Sequence, residues 1–197
     1  MRDSWKLVLA VLACCVGLAG MWSGRSIARA PGVLVEEEPI QSPASTAPFE
    51  FEEYQLAPQA AYDITARVLS TERYRFDGGS SLSPIDFAVG WGPMSDSAVL
   101  DHFRITQGAR FFTIYPDEEA IDIDVALRSS ANMHLIAANS LILRRLKNVK
   151  AGNIVRLQGF LVNASTQRGF TWSTSLTRND TGAGACELFY VESLDVR

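Results

Sequence analysis

The sequence predicts a mainly β domain, a small antiparallel barrel or sandwich with one amphipathic helix, preceded by an N-terminal apolar helix. Three observations carry this. From residue 61 onward, apolar and polar residues alternate in roughly seven or eight short runs, which places one side of each run in a core and the other in water. Turn residues separate the runs, a spacing that indicates antiparallel β architecture. Residues 7 to 22, LVLAVLACCVGLAGMW, contain no charge at all.

That apolar run is flanked by Arg2 and Lys6 on one side and by Arg25 and Arg29 on the other. Leu7, Val8, Leu9, Val11, Leu12, Val16, Leu18 and Trp22 are its membrane candidates. A helix of this length rises roughly 24 Å against a hydrocarbon core of about 30 Å, a shortfall that flanking arginines offset by snorkelling. Ala28-Arg29-Ala30 has the form of a signal-peptidase site, but Pro31 would occupy the first mature position and oppose cleavage. Val11 to Cys14 faintly matches a lipoprotein box, yet the apolar run continues well past Cys14. Residues 1 to 30 are therefore read as an uncleaved signal anchor. The basic flanks nearly tie, so the ordinary signal-anchor orientation, with the domain outside the cytoplasm, is chosen because the apolar run starts so early.

Charge is unevenly spread along the chain. Residues 31 to 60 carry six glutamates and no lysine or arginine, together with Pro31, Pro39, Pro43, Pro48 and Pro58. This composition reads as an extended acidic tether, with Phe49, Phe51 and Tyr54 as an alternative docking motif. The remaining 137 residues are nearly neutral, which gives no general electrostatic footprint for nucleic acid, and they are enough for one core and one domain, residues 61 to 197. Cys186 is alone there, so no disulfide within the domain is possible.

The strands expected are Tyr62 to Val68, Ile85 to Trp91, a shorter one at Phe112 and Ile114, Ile121 to Leu127, Ile154 to Val162, Phe170 to Leu176, and one around Phe189 and Val191. In the fourth of these, Asp122 and Asp124 would face solvent. Asn139 to Val149 is different: Ile142, Leu143, Leu146 and Val149 form a helical stripe, Asn139 is the N-cap and Gly152 follows the end. A second, shorter helix is expected from Ser95, as its cap, to Phe103.

The order strand, helix, Gly152-Asn153, strand resembles small barrels of the OB type, in which a helix bridges the third and fourth strands and plugs one end. The resemblance spans about residues 104 to 196, and VKAGNIVRLQGFLV is its best segment. NMHLIAAN and SLTRNDTGAGACE are similar to segments of uncharacterised bacterial membrane-anchored proteins; this resemblance implies no activity.

Two segments invite chemistry. Ser129 to His134 leads from an expected strand toward the helix, and Ser173 to Glu187 is a polar loop longer than a hairpin needs. Within them Asn132, His134, Arg178, Asp180 and Glu187 are the ligand-binding candidates. His134, Cys186 and Asp180 are the candidates for a Cys-His-acid arrangement, set against a histidine bound to backbone and a buried apolar thiol. Gly182 and Gly184 lack the Lys-Ser/Thr ending of a phosphate loop. Two histidines 32 residues apart, and an acidic run at Asp117, Glu118, Glu119, Asp122 and Asp124 without EF-hand spacing, nominate no metal, and no cofactor is expected. Phe170 and Trp172 read as core on the side of Leu176, against a base- or sugar-stacking ladder.

No complete catalytic constellation can be assembled from these residues. The expectation is a single-pass protein of the bacterial inner membrane whose periplasmic domain is a non-enzymatic binding or assembly module, with the membrane and an envelope protein as partners. The alternatives are an envelope hydrolase using Cys186 and His134, or single-stranded nucleic-acid binding by the OB-like surface.

Overall fold

A computed structural model describes residues 26–177 and 186–197. The membrane candidates from Leu7 to Trp22, and the site candidates Arg178 and Asp180, lie outside the described residues. Among the described residues no helix is long and apolar enough to cross a membrane.

The fold is mainly β. In chain order the strands are β1 (Ile40–Pro43), β2 (Phe49–Phe51), β3 (Tyr54–Arg73), β4 (Ile85–Gly90), β5 (Phe103–Gly108), β6 (Phe111–Pro116), β7 (Ser130–Ala137), β8 (Ile154–Ser165), β9 (Thr171–Trp172) and β10 (Glu187–Val196). The helices are α1 (Ser97–Leu100), α2 (Ile123–Arg128) and α3 (Ser140–Asn148), with a 3-10 turn at Gly92–Ser95.

The long strand β3 bends and serves two neighbours. Residues 55–67 pair antiparallel with β8, and residues 67–73 pair antiparallel with β4. Register shifts at Pro58/Ala60 and Val68/Ser70 supply the extra twist that this needs. Strand β4 pairs antiparallel with β7, β7 pairs parallel with β10, and β10 pairs antiparallel with β8. The pairings thus run in a circuit back to β3, while β1, β2 and β9 extend the sheet beyond it, so the whole is not a simple barrel. Gly159 of β8 stands opposite the bulge in β10 at φ +156°; a Cβ there would lie 2.0 Å from the Tyr190 carbonyl oxygen, which only glycine avoids.

Alternate residues of the circuit strands fill one core, with Ile64, Phe87, Met133, Leu157 and Phe189 at its centre. Helix α3 follows β7 and turns Ile142 and Leu146 into that core. Its start is as the sequence predicts: the Asn139 side chain accepts from the backbone N–H groups of Leu141 and Ile142, both at 3.0 Å. Asn139→Ala should therefore cost about 1 kcal/mol in chemical denaturation. A loss within error would mean that the cap is replaced by water. A second apolar cluster, with Leu56, Leu82, Ile136, Val162 and Leu188, lies on the other face of the sheet, with Phe170, Trp172 and Tyr190 packed against it.

Several expectations are corrected. Residues 31–60 are not a free tether. Val35 is in the main core, Leu34 and Val35 donate backbone N–H groups to Ser95 Oγ at 3.0 Å, and β1 and β2 pair with β3, which itself begins at Tyr54. Ser95 is therefore a clamp for this segment, and Asp96 caps α1 instead. Residues 121–127 are not a strand: Asp122 accepts from Asp124 N–H at 2.8 Å and starts α2, so Ile123 and Val125 are left exposed while Ala126 is buried. Ser130 to His134 is not irregular chain but the start of β7, buried on both faces. Only Thr171–Trp172 of the strand expected over Phe170 to Leu176 forms, and Leu176 is exposed.

Candidate functional site

Strand β7 carries the site. In register, His134 faces Asp86 of β4 and Leu188 of β10. The alternation that sends Met133 and Leu135 into the core sends Asn132 and His134 to the opposite face. That face is roofed by residues 74–84, by the tip of the β5–β6 hairpin and by Trp172 of β9.

Asp86 is fully buried, and each of its carboxylate oxygens has a partner. Oδ2 lies 2.9 Å from His134 Nδ1, and Oδ1 accepts from Arg110 Nη1 at 2.9 Å. With Asp86 ionised, the first bond places a proton on Nδ1. The Arg110 guanidinium then forks onto Asp77, Nε to Oδ2 and Nη2 to Oδ1, both at 2.8 Å, and Nη1 also donates to the Ser83 carbonyl at 2.8 Å. The same guanidinium lies 3.8 Å from the centre of the Tyr74 ring and 5.4 Å from that of Trp172. Trp172 in turn covers His134, with ring centres 4.7 Å apart, and packs so closely on Gly79 that a Cβ there would lie 2.5 Å from its ring.

Arg110 occupies this position at a conformational cost. Ala109 and Arg110 have φ +49° and +71°, the left-handed pair that a two-residue hairpin turn requires and that Asn-Gly usually supplies. Each costs of order 1 kcal/mol or more for a residue with a Cβ. The surroundings impose it. Tyr74 Oη accepts the Arg110 N–H at 2.9 Å, and Asn132 Nδ2 donates to the Arg110 carbonyl at 3.1 Å. Burial holds the Tyr74 phenol above its ordinary pKa.

The Arg110 hydrogen bonds hold the Asp77 carboxyl below the usual carboxylate range, against a smaller opposing effect of burial. Because the folded value is depressed, the stability it contributes is complete above the unfolded carboxylate value of about 3.9 and is lost as pH falls through the folded value. Melting temperatures should hold steady from neutral pH to about pH 4 and fall below it, with a shallower fall in Asp77→Asn. An acid limb that Asp77→Asn leaves untouched would assign the loss to other groups.

Cys186, immediately before β10, reaches the same face. Its sulfur is 3.6 Å from Asn132 Nδ2 and 3.8 Å from the Arg110 carbonyl oxygen, to which the thiol donates. The Asn132 oxygen accepts from Gln107 Nε2 at 2.8 Å. The structure thus brings Asn132, His134 and Cys186 onto one face. It does not place His134 in hydrogen-bond contact with Cys186: the acid on His134 is Asp86, and an amide and a carbonyl are among the groups on the thiol. His134 is only 3 % exposed, and Glu187 is buried opposite Met133.

Sequence reasoning missed Asp86, Arg110, Asp77 and Tyr74. Asp86 occupies a polar position of an alternating strand and so passes for a solvent-facing residue. Arg110 lies 24 residues away in a Gly-Ala-Arg turn with no local pattern. Among the described residues no three His, Cys, Asp or Glu side chains gather to hold a metal ion. No protein-family model matches the chain, and neither a curated protein nor a solved structure matches it.

Proposed function

We propose that this chain is a membrane-anchored, extracytoplasmic module of a bacterial envelope, built on an OB-like barrel, which binds a protein partner and catalyses no reaction. The circuit of five strands, with α3 inserted between its third and fourth members in chain order and packed into its core, supports the OB-like reading. In that architecture the face of the second and third strands and the loops around it meet ligands. Here this is the β4–β7 face, already closed by the protein's own Arg110 and Trp172. The buried cluster therefore serves as a brace for what lies outside it.

One observation carries the reading. Phe76 is 98 % exposed, and Phe111 is 44 % exposed. Phe76 adjoins Asp77 and Phe111 adjoins Arg110, the two partners of the forked ion pair. The pair ties together the two chain segments that carry these aromatic residues. Exposed aromatic residues on a braced backbone suit the role of anchors in protein interfaces. The partner of His134 Nδ1 is Asp86 and the Cys186 thiol donates to the Arg110 carbonyl, so these contacts build no Cys-His pair, which supports the non-catalytic reading.

The test is a photo-crosslinking amino acid placed at Phe76, and at the exposed Leu141 of α3 as a control, in the full chain within bacterial envelopes. A discrete protein adduct at position 76 alone is expected. Phe76→Ala should weaken the identified complex by about 2 kcal/mol, roughly 30-fold. Equal adducts at both positions, or none at 76, would remove the proposed contact.

A further inference from the structure

We infer that the end of the domain formed by residues 26–29, the C-terminal turn of α3 and Lys150–Gly152 lies directly against the anionic headgroups of the bilayer that holds residues 7 to 22. This rests on the anchor reading above. It goes beyond that reading by naming the surface that faces the lipid and the headgroup charge it meets.

The first support is reach. Chain is docked on the domain from the beginning of the described residues. The Ile27 N–H donates to the Ala151 carbonyl at 2.7 Å, Arg29 Nε donates to the Gly152 carbonyl at 2.9 Å, Arg29 Nη2 donates to the Arg197 carbonyl at 2.7 Å, and Ser97 Oγ donates to the Arg29 carbonyl at 2.8 Å. Gly152 has φ +89°, and a Cβ on it would lie 2.0 Å from the Ile27 carbonyl oxygen, so the fit admits no side chain. Only Ser23, Gly24 and Arg25 separate the apolar run from this docked segment. Fully extended, the step from Trp22 to Ser26 spans at most about 14 Å. The interfacial layer outside the hydrocarbon is itself roughly 5–7 Å deep. The proline- and glutamate-rich segment cannot act as a spacer, because it follows the docked residues and is laced onto the domain.

The second support is charge. Around Ala151 the exposed or half-buried basic groups are Arg29, Arg73, Lys147 and Lys150, with Arg73 Nη2 donating to the Lys147 carbonyl. The acidic groups lining the same two grooves are Glu72 and Asp101. The exposed Arg144 and Arg145 continue the basic surface along α3. A basic surface held this close to a bilayer selects anionic lipid.

The chain supplies its own reporters. It has three lysines, Lys6, Lys147 and Lys150, two of them on this surface. The full chain, reconstituted in nanodiscs of phosphatidylcholine with or without phosphatidylglycerol, is treated briefly with an acetylating reagent and read by mass spectrometry. The reference is the same chain with a Gly/Ser linker of about 30 residues, with a mean reach of roughly 30 Å, inserted between Gly24 and Arg25. With phosphatidylglycerol, Lys147 and Lys150 should react about fivefold more slowly in the native chain than in the linker chain, and in phosphatidylcholine alone this protection should shrink. Equal rates in native and linker chains, or protection indifferent to lipid charge, would overturn the inference while leaving the anchor intact. Chain that does not float with lipid would instead overturn the anchor reading, and the inference with it.

Discussion

Arg110→Ala is expected to destabilise the domain by about 3–5 kcal/mol, because it leaves the Asp86 carboxylate buried without its cation. For a domain of this size that corresponds to a fall in Tm of roughly 10 °C or more. The loss has two sources. Asp86 is inaccessible to water, so its charge cannot be screened. Ser83 loses its partner on the carbonyl. Asp77→Asn should cost far less, since that carboxylate is more than a third exposed and is screened by solvent. The decisive measurement is a double-mutant cycle of Arg110→Ala with Asp86→Ala in chemical denaturation, in which a coupling of about 1–3 kcal/mol is expected. Strictly additive losses would mean that the two charges do not support each other.

Leu146→Ala should cost about 2–5 kcal/mol. Leu146 is 1 % exposed and is one of the side chains with which α3 enters the main core. Its neighbours belong to β-strands tied on both edges, so they have little freedom to collapse into the space left behind. Leu141, five residues earlier on the same helix, is 54 % exposed, and Leu141→Ala should stay within about 0.5 kcal/mol of the parent. The pair of variants separates loss of packing from loss of helix propensity, because both exchange the same residue types within one helix. Equal effects at the two positions would show that α3 does not plug the core.

The contrast between these two leucines was legible in the sequence, because a single stripe with an Asn cap and a closing glycine leaves a helix few alternatives. The strands with one wet face were legible for the same reason. What failed were the places where a second layer hides polar residues. Ser130, Ala131, Asn132, Met133, His134 and Leu135 alternate as regularly as any strand in the chain, but a serine, an asparagine and a histidine in succession suggest a loop unless something is known to cover them. The cover comes from Arg110 and Trp172, which reach β7 from distant parts of the chain, and no local pattern announces an ion pair of that separation. Residues 121–127 failed in the opposite sense. Four apolar residues at a period of two looked like a strand, and a single aspartate cap decided for a helix. The acidic segment after residue 31 has the composition of a linker, yet it is bound through backbone groups and a serine hydroxyl, which composition does not register.

The position of β10 has a consequence for biogenesis. This strand is last in sequence, yet in space it lies between β7 and β8, and its parallel partner β7 starts more than fifty residues earlier. Until Glu187 and its successors arrive, β7 and β8 each present an unsatisfied edge, and the hydrophobic interior stays open along one seam. The ring therefore cannot close while its C-terminal residues are still in the ribosome or a translocation channel. Closure must wait for β10 and is slowed by the long loop closure that it requires. Late closure of this kind leaves β7 and β8 as open edges for as long as β10 is absent.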